Sequence, residues 1–548
     1  MYKLTYHDVN YSELVYLRKT VGFSDINIGR DSKNVKRSTR AASLSGICYS
    51  ENAMFFSPNS RPRRAMALFI VIILGFAVIF ASRTFAQQAT APAATSTPAT
   101  KADAADFAAA SDEVLAQMSE ITGLALRSPL KKSLRSREQI RAHIIQEMNE
   151  DKDAAERYAG ARSAEAFGLL PKGFDLDSFM IDLLTEQIAG LYDPKAHEFY
   201  VADWIHIEDQ RMVMAHELTH ALEDQHFQIE AWVKAARPND DSELARESVL
   251  EGSAMVAMVE FLLQGSGRSL QDLPDIDPAM LIGDMAETPM LKKAPPFLKD
   301  ALIFPYIDGL TFSATVLKPS GWEALGGIFT KPPTSTQQIL HPALYSSGKV
   351  PAPVSLPSME KALGADWAKL EENVMGEFGW KEVLKQYLGE TRGKTLSAAW
   401  DGDRYAVYEE KPSKRLLLIT RERLANQALA ERFFGQYSEA LEKKHEKRSN
   451  LFRKPDFFSF DTPNGGVFLR CFENECLTLE GGDRALLLQV NKEMNWPPVP
   501  EQPKILEKTA KEIAERSESY RSNDLTLKNW RVNGFAGAVM QPAEGQVD

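Results

Sequence analysis

The sequence predicts an α+β fold, in which a mainly helical domain with a small edge sheet precedes a smaller module of mixed strands and helices. Between residues 111 and 350, apolar residues recur mainly at helical spacing and strand-like runs are short. Between residues 358 and 500, strand-like runs alternate with a long helical segment, which is typical of an α+β module. A chain of 548 residues is long enough for two such domains.

Composition narrows the function classes. Hydrophobic residues make up 44% of the chain and charged residues 25%, which indicates a globular protein rather than a disordered or fibrous one. The formal net charge is −11, whereas nucleic-acid-binding proteins usually carry a basic excess, so we expect no nucleic-acid partner. Three cysteines are too few for a disulfide-dense scaffold or a four-cysteine zinc finger.

The first 110 residues predict targeting rather than a folded domain. Residues 65–81 are free of charge, follow a basic stretch at 61–64 and precede small residues near Ala86, an order that is typical of a secretory signal. The length of the apolar run fits both a cleaved signal and a single membrane anchor, so residues 61–86 are interpreted as one or the other. In both cases the basic flank predicts that the following chain is periplasmic or extracellular.

The remaining segments complete the domain prediction. Residues 1–60 show no clear periodicity, which leads to the hypothesis that translation starts later, at Met54. Residues 87–110 are rich in Ala, Thr and Pro and are interpreted as a linker. Prolines at 351–357 separate the two domains, and residues 501–548 form a charged tail.

Cys471 and Cys476 lie in two apolar strand-like runs that a short turn joins. An exported chain folds in an oxidising compartment, where such a pair can form a disulfide across a hairpin. The alternative is a pair of buried free thiols. A metal site is not expected there, because no further Cys or His lies nearby.

The segment with the clearest chemistry is His216-Glu217-Leu218-Thr219-His220. It lies within residues 211–233, which contain neither Gly nor Pro and show helical spacing of apolar residues, so we predict one long helix. Residues i and i+4 share a helix face, and both imidazoles can therefore bind one metal ion. Glu217 is rotated by about 100° around the axis, so its carboxylate can act on a water molecule instead of binding the metal.

A third ligand is expected, because catalytic zinc sites use three protein ligands and one open position. A second apolar helix, beginning near Leu244, carries Glu247 and Glu251 one turn apart. A carboxylate in so apolar a helix needs a partner, and a cation is one such partner. We favour Glu251, since the adjoining Gly252 leaves room beside it. Glu247 is the alternative, and it could equally pair, cap the helix or face water.

These residues resemble the active-site elements of the thermolysin-like and wider gluzincin zinc metallopeptidases. Residues 213–227 resemble their H-E-x-x-H helix, and Glu251-Gly252-Ser253-Ala254 resembles the E-G-x-A element that supplies a glutamate ligand. The resemblance implies a zincin-type catalytic fold for residues 111–350. It extends to a poorly characterised bacterial family of metallopeptidases related to that clan. The weaker matches lie at 190–194, 332–336 and 341–342.

The resemblance also implies roles for individual residues. His216, His220 and Glu251 would hold Zn²⁺. Glu217 would act as the general base that takes a proton from the attacking water. The spacing from His220 to the acid is longer than in thermolysin-like enzymes. A second arrangement is therefore open, in which Glu247 binds zinc and Glu251 orients a histidine.

Further residues are candidates for supporting roles. Asp224 lies one turn beyond His220 and is expected to orient an imidazole. Residues 197–203 are expected either to form an edge strand that aligns an extended substrate or to lie inside the sheet. The candidate donors to an oxyanion are His341, Tyr345, Tyr192 and Tyr306.

The sequence therefore predicts an exported zinc-dependent metallopeptidase that acts on peptide or protein substrates. The alternative is a non-catalytic zincin-fold protein of the cell envelope that serves in binding or assembly. A zinc hydrolase of non-peptide amides is a third hypothesis. The sequence predicts neither the cleavage preference nor the oligomeric state.

Overall fold

The computed structural model describes residues 101–150, 154–272 and 288–501. The predicted signal or anchor at 65–81 lies outside these residues, as do the hypothesis of a later start and the tail from residue 502. In the described part of the chain, no helix is both long and apolar enough to cross a bilayer. The predicted α+β class is confirmed.

The described residues before 350 are mainly helical. Their helices are α1 (Lys101–Thr122), α2 (Arg137–Glu150), α3 (Ala154–Phe167), α4 (Leu176–Gln187), α5 (Arg211–Phe227), α6 (Ile229–Lys234), α7 (Asp240–Leu263), α8 (Pro289–Lys293), α9 (Pro296–Ser320), α10 (Glu323–Thr330), α11 (Thr336–Leu340) and α12 (Pro342–Ser347). Their strands are β1 (Lys131–Arg135), β2 (Gly190–Asp193) and β3 (Glu198–Ala202). Two 3₁₀ helices cover Ile207–Gln210 and Leu270–Asp272.

The small sheet has the strand order β1-β3-β2. β3 pairs in parallel with β1 and antiparallel with β2, so it is the central strand. Of the two expectations for residues 197–203, the interior strand is confirmed and the edge strand is wrong. The physical reason lies in its composition, because Phe199 to Ala202 are all buried, as is typical of a strand covered on both faces. The edge strand beside α5 is β2.

Helix α5 is buried on all sides. Every residue from Val213 to Asp224 is buried, as expected for a helix that other elements surround. Its neighbours include α1, α7 and β2. A Cβ added at Gly190 of β2 would come within 2.5 Å of the Val213 side chain. Glycine at this position therefore lets β2 lie directly against α5.

The prediction of a single helix over 211–233 is wrong at its C-terminal end, where the structure has two helices. α5 ends at Phe227 and α6 begins at Ile229, with Gln228 between them in the left-handed region at φ 53°. The Asp224 carboxylate accepts a hydrogen bond from the Ile229 N–H at 3.2 Å. This bond satisfies a backbone donor at the start of the new helix.

Helices α7 and α9 cross with their backbones close together. A Cβ added at Gly252 would lie 2.1 Å from the Gly309 carbonyl oxygen, and one added at Gly309 would lie 2.2 Å from the Ser248 carbonyl oxygen. Both positions therefore require glycine. The sequence predicts that Gly252 makes room beside Glu251, whereas in the structure its missing side chain makes room for α9.

The residues after 358 form an antiparallel sheet with associated helices. The strands are β4 (Trp367–Asn373), β5 (Trp400–Glu410), β6 (Leu416–Leu424), β7 (Ser449–Lys454), β8 (Phe457–Thr462), β9 (Gly465–Phe472) and β10 (Glu475–Gly482). The helices are α13 (Glu360–Leu363), α14 (Gly376–Leu388), α15 (Glu390–Ser397), α16 (Gln427–Lys444) and α17 (Arg484–Glu493). The strand order is β4-β5-β6-β10-β9-β8-β7.

The predicted disulfide is confirmed. Cys471 in β9 lies directly opposite Cys476 in β10, and the two sulfur atoms are bonded. Both residues are buried. The bond therefore links neighbouring strands inside the sheet and excludes the alternative of two free thiols.

We expect Gly252→Ala to lower the free energy of unfolding by about 2 kcal/mol or more, because the new methyl group forces α7 and α9 apart. Chemical denaturation would measure the difference from the wild type. Gly326→Ala is the matched control, since Gly326 lies in α10 with open space around it, and alanine there should favour the helix by up to about 1 kcal/mol. Equal stability of the two variants would contradict the close approach of α7 and α9.

Candidate metal centre

Helix α5 directs His216 and His220 toward one point. Their Nε2 atoms lie 3.2 Å apart, and their ring planes are inclined at 87°. Residues i and i+4 lie on the same helix face, so the local sequence alone predicts this pair. Both imidazoles are buried.

Helix α7 supplies the third group. The Glu251 Oε2 atom lies 3.1 Å from His216 Nε2 and 3.6 Å from His220 Nε2. In the described part of the chain, this is the one set of three His, Cys, Asp or Glu side chains whose ligand atoms all lie within 4.8 Å of one another. Glu247 is buried one turn away, and neither of its carboxylate oxygens has a hydrogen-bond partner there. Of the two acids, the structure places Glu251 at the histidine pair.

The Nε2 atoms of His216 and His220 and the Oε2 atom of Glu251 are spaced as a tetrahedral zinc site requires. Zinc–ligand distances of about 2.0–2.1 Å place two corners of a tetrahedron about 3.4 Å apart. The observed separations of 3.1, 3.2 and 3.6 Å bracket this value. Two histidines and one glutamate are also a donor set of catalytic zinc sites. The residues present therefore fit a zinc ion.

The Glu251 carboxylate is negative at neutral pH, whereas His220 must release a proton before it can bind a metal ion. Burial alone would raise the pKa of Glu251, but its contacts with His216 and His220 outweigh burial and lower the pKa to about 2. Burial alone would lower the pKa of His220, but Glu223 and Glu251 outweigh it and raise the pKa well above its usual range. Glu251 is therefore negative at neutral pH, and that charge would attract a divalent cation.

Glu217 lies on the same helix, but its carboxylate is not part of the triad of His216, His220 and Glu251. Its Oε2 atom accepts a hydrogen bond from the Tyr192 N–H of β2 at 2.9 Å. Its Oε1 atom is buried without a hydrogen-bond partner among the described residues. Burial raises the pKa of Glu217, against the opposing effect of the two imidazoles. One oxygen is thus held by the backbone, and the other is available to accept a proton.

Glu223 supports His220, a role that the sequence analysis missed. Its Oε2 atom lies 3.3 Å from His220 Nδ1, and its Oε1 atom accepts a hydrogen bond from Ser253 Oγ at 2.5 Å. A carboxylate on the second ring nitrogen is a common support for a metal-binding histidine. The available signal in the sequence is the i+3 spacing of Glu223 from His220.

Asp224 has a different role, and the expectation that it orients a metal-binding imidazole is wrong, since the imidazole that it contacts is that of His197, at 3.3 Å from Nδ1. Its Oδ2 atom accepts a hydrogen bond from the Tyr192 hydroxyl at 2.7 Å, and its Oδ1 atom accepts the Ile229 N–H. Because the Tyr192 N–H holds Glu217, Asp224 supports Glu217 indirectly.

Of the four candidate oxyanion donors, Tyr306 packs its ring against the triad. The ring stacks on His216, with centroids 6.1 Å apart and an interplanar angle of 24°. Tyr306 is buried on α9, which packs against α7. The other three make hydrogen bonds elsewhere: His341 with Glu377, Tyr345 with the Lys331 carbonyl, and Tyr192 with Asp224.

The centre is enclosed by protein. His216 is 0% exposed and Glu217 1% exposed, while His220 and Glu251 each retain 4%. A polypeptide therefore reaches these side chains only after the surrounding elements separate.

One family matches part of the chain. Residues 366–469 match a family described as a domain of unknown function (DUF8575). The match runs from β4 into β9, within the module predicted at 358–500, and does not include the triad. Comparison with curated proteins and with solved structures found no match.

We expect Glu251→Gln to lower bound zinc about tenfold or more, because a neutral amide is a poor substitute for a carboxylate ligand. Elemental analysis of the purified protein measures zinc per chain. Glu247→Gln is the matched control on the same helix and should keep the zinc content of the wild type. Loss of zinc from Glu247→Gln and retention by Glu251→Gln would reverse the assignment.

We expect Glu223→Gln to weaken zinc binding about tenfold, because loss of a carboxylate that supports a histidine ligand typically costs that much affinity. Competition with a chelator of known affinity gives the Kd. Asp224→Asn changes the neighbouring acid, which does not contact His220, and should leave the Kd unchanged. The opposite order of effects would restore Asp224 as the support of the histidine.

Proposed function

We propose that this chain is an exported zinc-dependent metallopeptidase that hydrolyses peptide bonds. The observation that carries the proposal is the convergence of His216, His220 and Glu251 at the distances of a zinc site. The unpartnered oxygen of Glu217, on the same helix as the histidines, supports hydrolysis rather than metal storage. Export rests on the signal predicted at 65–81.

In this proposal, the zinc ion and the side chains of the protein contribute different parts of the hydrolysis. A bound zinc ion would supply Lewis acidity, which lowers the pKa of a water molecule and polarises a carbonyl group. Glu217 would accept a proton at Oε1 and pass it to the leaving nitrogen. The hydrogen bond from Tyr192 N–H to Oε2 would keep the carboxylate oriented during this transfer. Glu223, fixed by Ser253, would keep the His220 ring in place.

A second candidate is a non-catalytic zincin-fold protein of the cell envelope that serves in binding or assembly. The enclosure of the triad favours it, since no residue of the triad is more than 4% exposed. A metal ion in a closed site can stabilise a fold without meeting a substrate. Against this, structural zinc sites usually have four protein ligands, whereas the described residues bring three together. The ligand count makes catalysis the better-supported function.

We expect Glu217→Gln to keep stoichiometric zinc and to lose peptidase activity by about 10²–10⁴-fold, which is the usual contribution of a general base. Digestion of casein and of a mixed peptide library, with and without chelator, measures the activity. Glu230→Gln is the control, because Glu230 lies in α6, outside the triad, and pairs with Lys234.

The outcomes separate the candidates. A zinc-loaded wild type that cleaves no peptide would favour the non-catalytic protein. Peptidase activity that is equal in the wild type and in Glu217→Gln, with zinc retained in both, would exclude Glu217 as the base. Cleavage of non-peptide amides alone would support the third hypothesis.

A further inference from the structure

A cavity of about 290 Å³ lies between the C-terminal end of α3, with the loop that follows it, and residues of β6, β10 and α16. Its volume is close to the range of about 300–1,000 Å³ that is typical of ligand sites. Two glutamates line it, together with five cationic side chains, namely Arg162, Lys172, Lys414, Arg415 and Lys444. Five cations around one cavity are a marked local excess in a chain whose formal net charge is −11.

The two most buried of these cations are already paired. The Lys444 ammonium contacts Glu480 at 2.8 Å, and the Arg162 guanidinium contacts both Glu165 and Glu409. The side chain of Lys444 is 10% exposed and that of Arg162 13%. Burial would raise the pKa of Glu480, but Lys444 lowers it to about 2, so this pair is ionised at neutral pH. These pairs fix part of the wall and leave the more exposed cations to meet a ligand.

Arg162 also joins the two segments that carry the exposed lysines. Its Nη2 group donates a hydrogen bond to the Lys414 carbonyl oxygen at 2.7 Å. Its partner Glu165 accepts the Gly173 N–H at 3.3 Å, next to Lys172 in the chain. Lys172 and Lys414 are thus held on either side of Arg162, and both line the same cavity.

The cations that a ligand can reach are Lys172, Lys414 and Arg415. Lys172 is exposed and forms no ion pair with any residue that the structure describes. The side chain of Lys414 is 63% exposed, and its ammonium group donates to Glu409 at 2.7 Å, which leaves two of its three donors for a ligand. The side chain of Arg415 is 34% exposed and pairs with Glu410.

The charges around the cavity leave a positive excess. Within the described residues, the five lining cations contact four carboxylates, those of Glu165, Glu409, Glu410 and Glu480. The Glu480 carboxylate also contacts His445 Nε2 at 2.6 Å, so two groups share its charge. Lys172 is the lining cation without a carboxylate partner. An anion that enters beside Lys172 therefore meets positive charge that the described residues do not compensate.

The chemistry of the exposed groups favours an oxyanion. Lysine and arginine side chains present N–H donors and no acceptor, and phosphate oxygens accept such charge-assisted hydrogen bonds. At about 10–15 Å³ for each water-sized group, a phosphate fills about 50–75 Å³ of such volume. The remaining volume can hold an organic group, since part of the wall is apolar or aromatic and consists of Ala166, Leu170, Tyr387, Leu416 and Leu418.

We propose that this cavity binds an organic phosphate ester, with the phosphate oxygens at Lys172, Lys414 and Arg415 and the organic group against the apolar part of the wall. The site is separate from the metal centre, because no residue of the triad lines the cavity. The proposal therefore does not rest on zinc or on peptidase activity.

Isothermal titration calorimetry of the full chain with phenyl phosphate, at constant ionic strength, tests the proposal. We expect saturable one-to-one binding to the wild type, and binding about tenfold weaker or more to the double variant Lys172→Gln/Lys414→Gln, which loses two charged donors. The matched control is Lys131→Gln/Lys331→Gln, which removes two exposed lysines outside the cavity wall and should keep the affinity of the wild type. Both lysines of the test variant are exposed, so it is expected to fold.

Two further ligands separate the parts of the phenyl phosphate molecule. Phenol has the ring without the phosphate and should bind about tenfold more weakly or worse. Inorganic phosphate lacks the ring and should bind more weakly than phenyl phosphate, because it leaves the apolar wall uncovered. Equal affinity for inorganic phosphate and phenyl phosphate would overturn the ester and identify free phosphate as the ligand.

Three other results would each overturn the site itself. They are the absence of saturable binding of phenyl phosphate, equal affinity for phenol, and equal affinity of the wild type and Lys172→Gln/Lys414→Gln. Phosphate oxygens can also bind a zinc ion, so the titration is repeated on chelator-treated protein, where the same affinity is expected. Loss of binding together with the zinc would place the ligand at the metal centre.

Discussion

The contact of the Glu251 carboxylate with the two imidazoles of His216 and His220 is the interaction on which the centre depends. The Glu251 Oε2 atom lies 3.1 Å from His216 Nε2 and 3.6 Å from His220 Nε2, and this contact joins α7 to α5 at a buried point. A carboxylate buried without a partner costs free energy, and here the imidazoles provide that partner. The same contact sets the position of one helix along the other, and every supporting group is arranged around that position.

Close backbone packing supports this contact from the outside. Gly190 lets β2 lie against α5, while Gly252 and Gly309 let α9 lie against α7. The approach of β2 brings the Tyr192 N–H to Glu217 at 2.9 Å. A backbone donor positions a carboxylate more rigidly than a long side chain could, because it has no rotamers of its own. The missing side chains of three glycines thus permit the close packing of the elements that surround the centre.

The antiparallel sheet also contacts α7, at the N-terminal end of that helix. Asn373 of β4 accepts a hydrogen bond from the Asp240 N–H at 3.0 Å, and the Asp241 carboxylate holds Thr336. The first N–H groups of a helix have no partner within the helix, so a residue of β4 satisfies one of these donors in α7. The domain matched at 366–469 therefore anchors the helix that carries Glu251.

The sequence by itself determined the features whose residues lie close together along the chain, because the geometry of a helix or a hairpin depends on the neighbouring backbone. The shared face of His216 and His220 follows from the helical repeat, and the hairpin disulfide follows from the short turn between two apolar runs. Only the tertiary structure decided that Glu251 and not Glu247 meets the histidines, that Glu223 supports one of them, that α5 ends early and that β3 is central. Each of these features depends on which distant segment of the chain packs against the residue. That packing is determined by burial across the whole chain and not by any short stretch of sequence.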